Sequence, residues 1–223
     1  MEDIKYLGLI DQMKTSLIEP AAAETALARL DDPARVAVTY QLYEKELRSI
    51  NALDFNSLIF EAHRLVTTFP AIAARYRRSH PYWLIDEFQD TNNAQYRFVR
   101  ALAGDDFRNL FAVADDDQII YQWNGASFTQ IQAFLTNFSA ELIQLPTNYR
   151  CPPAIVDAAN RLVVYNAQRT STKEPLIAGK TDLKYPASEH IQLRVFETDE
   201  EEAAAIAQEI ADRGRSLWGQ RQS

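Results

Sequence analysis

The chain has 223 residues, 47% of them hydrophobic and 24% charged, and its formal net charge at pH 7 is −8. This length allows one large domain or two small ones with a buried core, and no apolar run reaches the ~20 residues that a membrane helix needs. Chains that bind nucleic acid through bulk electrostatics are usually basic, so any such contact here must come from a local groove and from stacking.

The first 80 residues predict an all-helical region. Asp32 followed by Pro33 is typical of a helix N-cap with proline in the first helical position, and Asp54 is predicted to cap the next helix. Apolar periodicity supports the same interpretation. The predicted helices cover 4–18, 21–30, 33–50, 55–69 and 70–80.

From Pro81 onward, short apolar runs alternate with helical patterns. This alternation predicts parallel strand–helix–strand units. The predicted strands are YWLID (82–86), NLFAVA (109–114), ELIQL (141–145) and HIQLRVF (190–196), and the first of them is expected to be buried. The predicted helices run through 95–102, from the N-cap Ser127 to 138, over about 153–167 and over 199–213.

Polar side chains follow the first three of these strands. In parallel sheets, ligands bind beyond the carboxyl ends of the strands, so the three polar loops are expected to meet in one nucleotide-sized crevice. The loops contain Asp86-Glu87, Asp115 to Gln118, and Asn148-Tyr149-Arg150.

Asp86 and Glu87 are adjacent acids, and something must offset the repulsion between their negative charges. Two neighbouring carboxylates repel each other unless a cation or proton offsets them, and Mg²⁺ prefers oxygen ligands. One carboxylate would then hold the metal ion, and the other would orient and deprotonate an attacking water. The alternative is an exposed acidic turn that caps the next helix.

Three motifs follow one another in order: DEFQDTN (86–92), D-x-x-Q-x-I-Y-x-W-N-G-A (115–126) and L-x-x-N-Y-R (145–150). Together they resemble motifs II, III and IV of the UvrD/Rep/PcrA-type superfamily 1 DNA helicases. The flanking stretches 53–65 and 160–169 also resemble that family. The resemblance implies an α/β, RecA-like P-loop NTPase fold, here partial, with a parallel sheet flanked by helices.

The resemblance also implies roles for single residues. Asp86, with Glu87 beside it, would hold Mg²⁺, and Glu87 would be the base that activates the hydrolytic water. Gln118 would sense the γ-phosphate of ATP, Tyr149 would stack on adenine, and Arg150 would stabilise transition-state charge as an arginine finger. The residues assigned to single-stranded DNA are Tyr121, Trp123 and Asn124.

Each aromatic or cationic candidate has a plainer alternative. Trp123 lies in a polar loop beside Gly125, which suits stacking on bases, but it could instead fill a pocket beneath the loop. Asn124 stands where the family often has Arg. Without that arginine a contact to the DNA backbone or between domains would be weaker, which puts in doubt how strongly the nucleotide state is coupled to the DNA groove. Arg150 could instead form a salt bridge with Asp157 or Glu141.

A phosphate-binding G-x-x-x-x-G-K-[ST] motif is absent from these 223 residues. Gly179-Lys180-Thr181 is a partial match, but Glu174 stands where the first glycine should be, so IAGKTD is interpreted as a surface loop. No match to motifs V and VI is found either. We therefore expect the isolated chain to bind ATP very weakly and not to unwind DNA.

The resemblance implies a segment of an ATP-dependent 3′–5′ DNA helicase with three parts. These are a helical region (1–80) like the end of subdomain 1B and the return to 1A, the second half of the RecA-like 1A domain (81–147), and the beginning of domain 2A (148–223). DNA-repair proteins are possible partners, and a membrane is not. The alternatives are a non-catalytic DNA- or protein-binding module and a metal-dependent nuclease using Asp182-Leu183-Lys184.

The remaining candidates for chemistry are few. The only cysteine, Cys151, excludes an internal disulfide and favours a reducing compartment, so the cytoplasm is the expected location. Cys151 is interpreted as an ordinary small buried residue. The histidines His63, His80 and His190 show no metal-ligand spacing and are interpreted as structural.

Overall fold

The structure is a computed structural model that describes residues 2–170, 172–180 and 191–219, with side chains described for 5–170, 172–180 and 191–212. It divides into two compact units, Met1–Leu145 with Val163–Glu174, and Pro146–Leu162 with Pro175–Ser223. In the part of the chain that is described, no helix is both long and apolar enough to cross a membrane. The predicted three-part division stays a prediction.

The helices of the N-terminal region form as the sequence predicts, with one exception. Asp32 accepts a hydrogen bond from the Arg35 N–H at 3.0 Å and Asp54 accepts one from the Ser57 N–H at 2.6 Å, so both predicted N-caps are confirmed. The helices are α1 Glu2–Thr15, α2 Ala23–Ala26, α3 Pro33–Ser49, α4 Phe55–Thr68 and α5 Pro70–Ser79.

The exception is the predicted helix over 21–30. A short 3₁₀ helix over Pro20–Ala22 leads into α2, which already ends at Ala26. A proline disfavours helical φ and ψ angles at the residue before it, so the preceding helix is expected to end at or before Asp32. Residues 27–31 form a turn, in which the Leu30 N–H donates to the Leu27 carbonyl at 2.9 Å, before α3 begins.

Helices α1, α2 and α3 enclose the first hydrophobic core. It consists of Ile10, Met13, Ala23, Val36, Ala37 and Tyr40. One charged side chain is buried beside it: Lys14 of α1 is 1% exposed. Its ammonium group contacts Glu44 of α3 at 2.6 Å and the α4 cap Asp54 at 2.5 Å, so three helices meet at one cation.

The predicted strand–helix–strand unit is confirmed. Strand β1 (Trp83–Ile85) pairs in parallel with β2 (Leu110–Ala112), with Leu84 opposite Phe111. Helix α6 (Asn93–Ala103) connects them and α7 (Phe128–Asn137) follows β2. The core on one side of this sheet consists of Phe88, Tyr96, Ala103, Ile131, Phe134 and Phe138.

The prediction that β1 is a buried strand is wrong. Successive side chains of a strand point to opposite faces of the sheet. Trp83 and Ile85 pack against the core, whereas Leu84 is 80% exposed and its partner Phe111 is 56% exposed. Within the described residues, only one face of this two-stranded sheet is covered.

The second unit contains a separate pair of strands. Strand β3 (Thr147–Asn148) pairs in parallel with β4 (Ile177–Ala178), and the unit also contains most of α8 (Pro153–Val163) and the long helix α9 (Asp199–Gly219). Helix α9 begins with four acidic residues, which complement the positive end of its dipole. Both helices were predicted, although α8 ends four residues early.

The two remaining strand predictions are wrong within the described residues. Residues 141–145 and 191–196 form no strand, and their apolar side chains are largely exposed, for example Ile143, Leu145 and Leu193. Without burial, an apolar run alone does not hold the extended conformation. His190, the first residue of the second run, lies outside the described residues.

The predicted surface loop over IAGKTD is also wrong in part, because Ile177 and Ala178 form β4. A Cβ atom at Gly179 would lie 2.5 Å from a Thr147 methyl group and 2.9 Å from the Tyr149 ring. Close packing inside the second unit therefore requires a glycine at position 179. This packing explains the glycine without a role in phosphate binding. Thr181 lies outside the described residues.

Candidate functional site

The turn after β1 carries the adjacent acids Asp86 and Glu87. Glu87 adopts a left-handed backbone conformation, with φ 49° and ψ 41°, which is uncommon for a residue other than glycine. The Phe88 N–H donates to the Val113 carbonyl at 2.9 Å and the Phe88 ring is buried in the core. The buried ring and this hydrogen bond fix the turn, so the two acids point away from the core.

Both acids are exposed, and neither forms an ion pair with a described lysine or arginine. One Asp86 oxygen accepts a hydrogen bond from the Glu87 N–H at 3.0 Å. Exposed carboxylate oxygens that lack a protein cation suit Mg²⁺, which takes oxygen ligands and keeps several waters. The donor set therefore fits the predicted metal ion.

Gln89 lies directly beneath the acidic turn and is 2% exposed. Its side-chain amide donates to Glu87 Oε2 at 2.6 Å. Its side-chain carbonyl accepts a hydrogen bond from the Asp115 backbone N–H at 3.0 Å. This buried amide therefore connects the turn after β1 with the turn after β2.

The turn after β2 carries the predicted sensor Gln118. Asp115 caps a 3₁₀ helix over Asp116–Gln118 by accepting a hydrogen bond from the Asp117 N–H at 3.1 Å. The exposed Gln118 side chain donates to the Asp115 carboxylate at 2.5 Å. The structure thus brings Glu87 and Gln118 into one hydrogen-bonded system through Gln89 and Asp115.

The three aspartates of this second turn have carboxylate oxygens within 4.8 Å of one another, which is close enough to hold a metal ion. A protein cation already occupies that position. The Lys173 ammonium group contacts all three, at 2.5 Å from Asp116 and 2.8 Å from Asp117, and Arg169 pairs with Asp117 at 2.9 Å. The three carboxylates are therefore already paired with two protein cations, whereas no described lysine or arginine pairs with Asp86 or Glu87.

The ion pairs of this cluster shift the pKa values of its members. Burial alone would raise the pKa of Asp115 and of Asp116, but hydrogen bonds, first of all from Lys173, outweigh burial and hold both pKa values below their usual range. Burial alone would lower the pKa of Lys173, but the hydrogen bonds that its ammonium group donates to the three carboxylates raise it above its ordinary value. All these groups are therefore held in their charged forms.

We expect the free energy of unfolding of the first unit to fall as the pH drops below about 4. A carboxylate whose folded pKa is depressed contributes stability above its unfolded pKa and loses it as the pH falls through the folded pKa. The raised pKa of Lys173 acts at the other end, where its contribution is lost as the pH rises above about 10. Urea unfolding followed between pH 3 and 8 measures the acid limb.

Lys173→Met is the matched variant for this experiment. It leaves the aspartates without their cation, so its deficit against the unchanged chain should be large at pH 7 and shrink at pH 3, where the aspartates of the variant are protonated. The exposed Lys45, replaced by Met, is the control. An equal deficit for Lys173→Met at both pH values would contradict the assignment.

The loop that contains the predicted DNA-binding residues follows the second turn. Its 3₁₀ helix Gln122–Asn124 ends at Gly125, whose φ of 86° favours glycine. Trp123 is 81% exposed and its ring lies 5.9 Å from the partly exposed Tyr121 ring. Trp123 therefore does not fill a pocket beneath the loop, and its face is open for stacking. Asn124 is half-buried in the same loop.

Tyr149 and Arg150 belong to the second unit. The Asn148 side chain accepts hydrogen bonds from the Arg150 N–H at 2.9 Å and the Cys151 N–H at 2.8 Å, which fixes the turn that carries them. Tyr149 is largely exposed, and Arg150 forms no ion pair with Asp157 in the part of the chain that is described. A crevice shared by Arg150 with the acids of the first unit stays a prediction.

Some residues of the site carry no signal strong enough to find them in the sequence. Gln89 belongs to the DEFQD motif, but nothing in the pattern shows that its amide connects two turns. Asn166 and Arg169 lie in a stretch that resembles the helicase family, and both contact Asp117. Lys173 lies 58 residues from Asp115, in a polar stretch without a motif. The proposed nuclease residues Asp182 and Lys184 lie outside the described residues.

The fold and these two turns define an α/β protein with polar residues at the carboxyl ends of parallel strands, where ligands bind in folds of this class. Comparison with known families identifies the class more closely. Residues 2–139 match the UvrD/REP helicase N-terminal domain. The chain therefore belongs to the UvrD/REP helicase family.

Individual relatives agree with this assignment. The chain is 39% identical over 210 residues to the ATP-dependent DNA helicase UvrD1 of Mycobacterium tuberculosis, 44% over 135 residues to DNA helicase II of Escherichia coli, and 38% over 164 residues to the ATP-dependent DNA helicase PcrA of Bacillus subtilis. These alignments cover 90%, 60% and 73% of this chain, but only 26%, 19% and 22% of the relatives. The chain thus spans about a quarter of their length or less.

Proposed function

We propose that this chain is a segment of an ATP-dependent DNA helicase that moves 3′–5′ along single-stranded DNA, with a partial RecA-like nucleotide-binding fold. The observation that carries the proposal is the linked pair of turns. Two exposed acids follow β1, an exposed glutamine follows β2, and buried Gln89 joins them. The exposed Trp123 lies in the loop that follows directly.

In this function each described residue has a stated task. Asp86, with Glu87 beside it, holds Mg²⁺, which when bound neutralises charge on the ATP phosphates. Glu87 accepts a proton from the attacking water, and Gln118 senses the γ-phosphate from the adjacent turn. Tyr149 stacks on adenine and Arg150 stabilises transition-state charge, as the resemblance implies. The cytoplasmic location and the contacts with DNA-repair proteins stay predictions.

Stacking by Trp123 is the part of this function that the chain itself can test. We expect Trp123→Ala to weaken binding of a fluorescent oligo-dT about tenfold or more, because one base–aromatic stack contributes about 1–3 kcal/mol. Trp123→Phe keeps a ring and should lose less. Fluorescence anisotropy at low ionic strength measures the dissociation constants, since the net charge of −8 weakens binding.

The control is Phe55→Ala, which removes an aromatic ring that is 90% exposed from the start of α4. Its affinity for oligo-dT should equal that of the unchanged chain. Equal losses for Phe55→Ala and Trp123→Ala would mean that exposed rings bind the oligonucleotide without a defined site, which contradicts the proposal.

Turnover of ATP requires a second preparation, because the sequence contains no P-loop motif. We define the UvrD1 chimera as Mycobacterium tuberculosis UvrD1 in which this chain replaces the matched segment. A DNA-stimulated ATPase in the chimera supports the helicase function. A chimera that binds oligo-dT without turnover supports the alternative, a non-catalytic DNA-binding module.

A further inference from the structure

Gln89 is buried, although glutamine side chains are mostly exposed in folded proteins. A buried side-chain amide is stable only when its donor and its acceptor are both satisfied. Here each end has one partner, Glu87 Oε2 for the amide nitrogen and the Asp115 N–H for the carbonyl oxygen. Gln89 therefore has a defined orientation.

Only one orientation of the Gln89 side-chain amide satisfies both of its partners. A flipped amide would place its carbonyl oxygen against the Glu87 carboxylate and its NH₂ group against the Asp115 N–H, so that both contacts would become repulsive. Neither Glu nor Met can replace both interactions. Glutamate lacks the donor, and methionine lacks the donor and a strong acceptor.

The contact also determines which Glu87 oxygen is available for chemistry. Gln89 engages Oε2, and the hydrogen bonds found among the described residues leave Oε1 without a protein donor. An exposed glutamate would otherwise sample several rotamers. The buried amide thus holds one oxygen and leaves the other to accept a proton.

The same side chain also determines where the second turn lies. The Asp115 N–H donates a hydrogen bond to the Gln89 side-chain carbonyl. The Asp115 carboxylate in turn accepts a hydrogen bond from the Gln118 side-chain amide. Lys173 holds Asp115 on the other side. The Glu87 carboxylate and the Gln118 amide are thus linked by a chain of three hydrogen bonds, and Gln89 forms two of them.

We infer that Gln89 is a positioning residue, which holds the Glu87 carboxylate and the Asp115–Gln118 turn in the arrangement that ATP hydrolysis requires. The inference depends on the proposed function, because it assigns Glu87 as the base and Gln118 as the sensor. A purely structural role would affect the stability of the fold and leave the turnover of folded molecules unchanged.

The first test uses the chain itself and does not depend on ATPase activity. Hydrogen exchange of the Asp115 amide should become about tenfold faster in Gln89→Met, because its acceptor is lost, and stay slow in Gln89→Glu, whose carboxylate still accepts. Gln130→Met is the matched control, since Gln130 is also a buried glutamine, on α7. Unchanged exchange at Asp115 in Gln89→Met would overturn the inference.

The second test measures ATP turnover in the UvrD1 chimera. Misplacing a catalytic group by about 1 Å can cost about 10²-fold in rate, so Gln89→Met should lower kcat by about that factor and change KM for ATP little. Gln89→Glu should lower kcat as well, because its charge repels Glu87. Gln130→Met should keep the kcat of the unchanged chimera.

The outcomes separate the two claims. If Glu87→Gln leaves the chimera active, the proposed function of Glu87 is wrong. If Glu87→Gln abolishes turnover while Gln89→Met keeps its kcat, the function stands and the positioning role is wrong. A loss of thermal stability in Gln89→Met with unchanged kcat would likewise assign Gln89 a structural role only.

Discussion

Replacing Lys14 by Met should destabilise the first unit by about 3–5 kcal/mol, the usual cost of removing one partner from a buried ion pair. Lys14 is 1% exposed, and its ammonium group contacts Glu44, Asp54 and the Ser57 hydroxyl at 2.6, 2.5 and 2.8 Å. The Tyr43 ring lies 4.7 Å from the same atom. Methionine fills the volume but leaves the two carboxylates without a cation.

The titration behaviour of the neighbouring residues agrees with this role. Burial alone would raise the pKa of Asp54, but hydrogen bonds from Lys14, the Ser57 N–H and Tyr43 lower it overall. Burial, together with the hydrogen bond to Asp54, raises the pKa of Tyr43 to about 12. Asp54 therefore stays charged and Tyr43 stays protonated, which leaves Asp54 dependent on Lys14.

Urea unfolding at pH 7 measures the effect, with Lys5→Met as the control on the exposed face of α1. The control should lie within about 0.5 kcal/mol of the unchanged chain. Adding Glu44→Gln and Asp54→Asn to Lys14→Met should recover part of the loss, because both carboxylates are then neutral and asparagine still caps α4. A Lys14→Met variant as stable as Lys5→Met would contradict the buried-charge account.

Local signals in the sequence predicted the helices well. A cap such as Asp54 or Ser127 acts on backbone groups two or three residues away, so both the donor and the acceptor appear within one short stretch. Most of the predicted helix starts are therefore confirmed within a residue or two. The same holds for β1 and β2, which begin within one residue of their predicted starts.

Contacts between distant residues were not predictable in this way. Strand β3 pairs with residues 30 positions later, and nothing in either stretch indicates the other. ELIQL was expected to be a strand because it is apolar. An apolar run forms a strand only where it can pair with a neighbouring strand and pack against a core. The burial of Lys14 was equally hidden, since lysine is almost never fully buried without a partner.

The candidate site shows the same division between near and distant contacts. Glu87 and Gln118 were predicted as site residues through the resemblance of their motifs to the helicase family. The link between them was not, because Gln89 and Asp115 are 26 residues apart. The left-handed backbone conformation at position 87 was also unexpected, because the residue there is a glutamate and not a glycine or an asparagine.

The largest effect on turnover is expected for Glu87→Gln in the UvrD1 chimera. The substitution keeps the shape of the side chain and an oxygen that can accept from Gln89, but it removes the basic group. General-base catalysis contributes about 10²–10⁴-fold, so kcat for DNA-stimulated ATP hydrolysis should fall by that factor. Binding of oligo-dT should not change, because Trp123 is untouched.

Two controls limit what this result can mean. Glu24→Gln, on the exposed surface of α2, should leave kcat unchanged. The 223-residue chain alone should show no ATPase, because without a P-loop the β- and γ-phosphates lose their main binding groups. A DNA-stimulated ATPase in the isolated chain that disappears in Glu87→Gln would confirm the base and overturn the requirement for a P-loop. A chimera that keeps its turnover in Glu87→Gln would require another residue as the base.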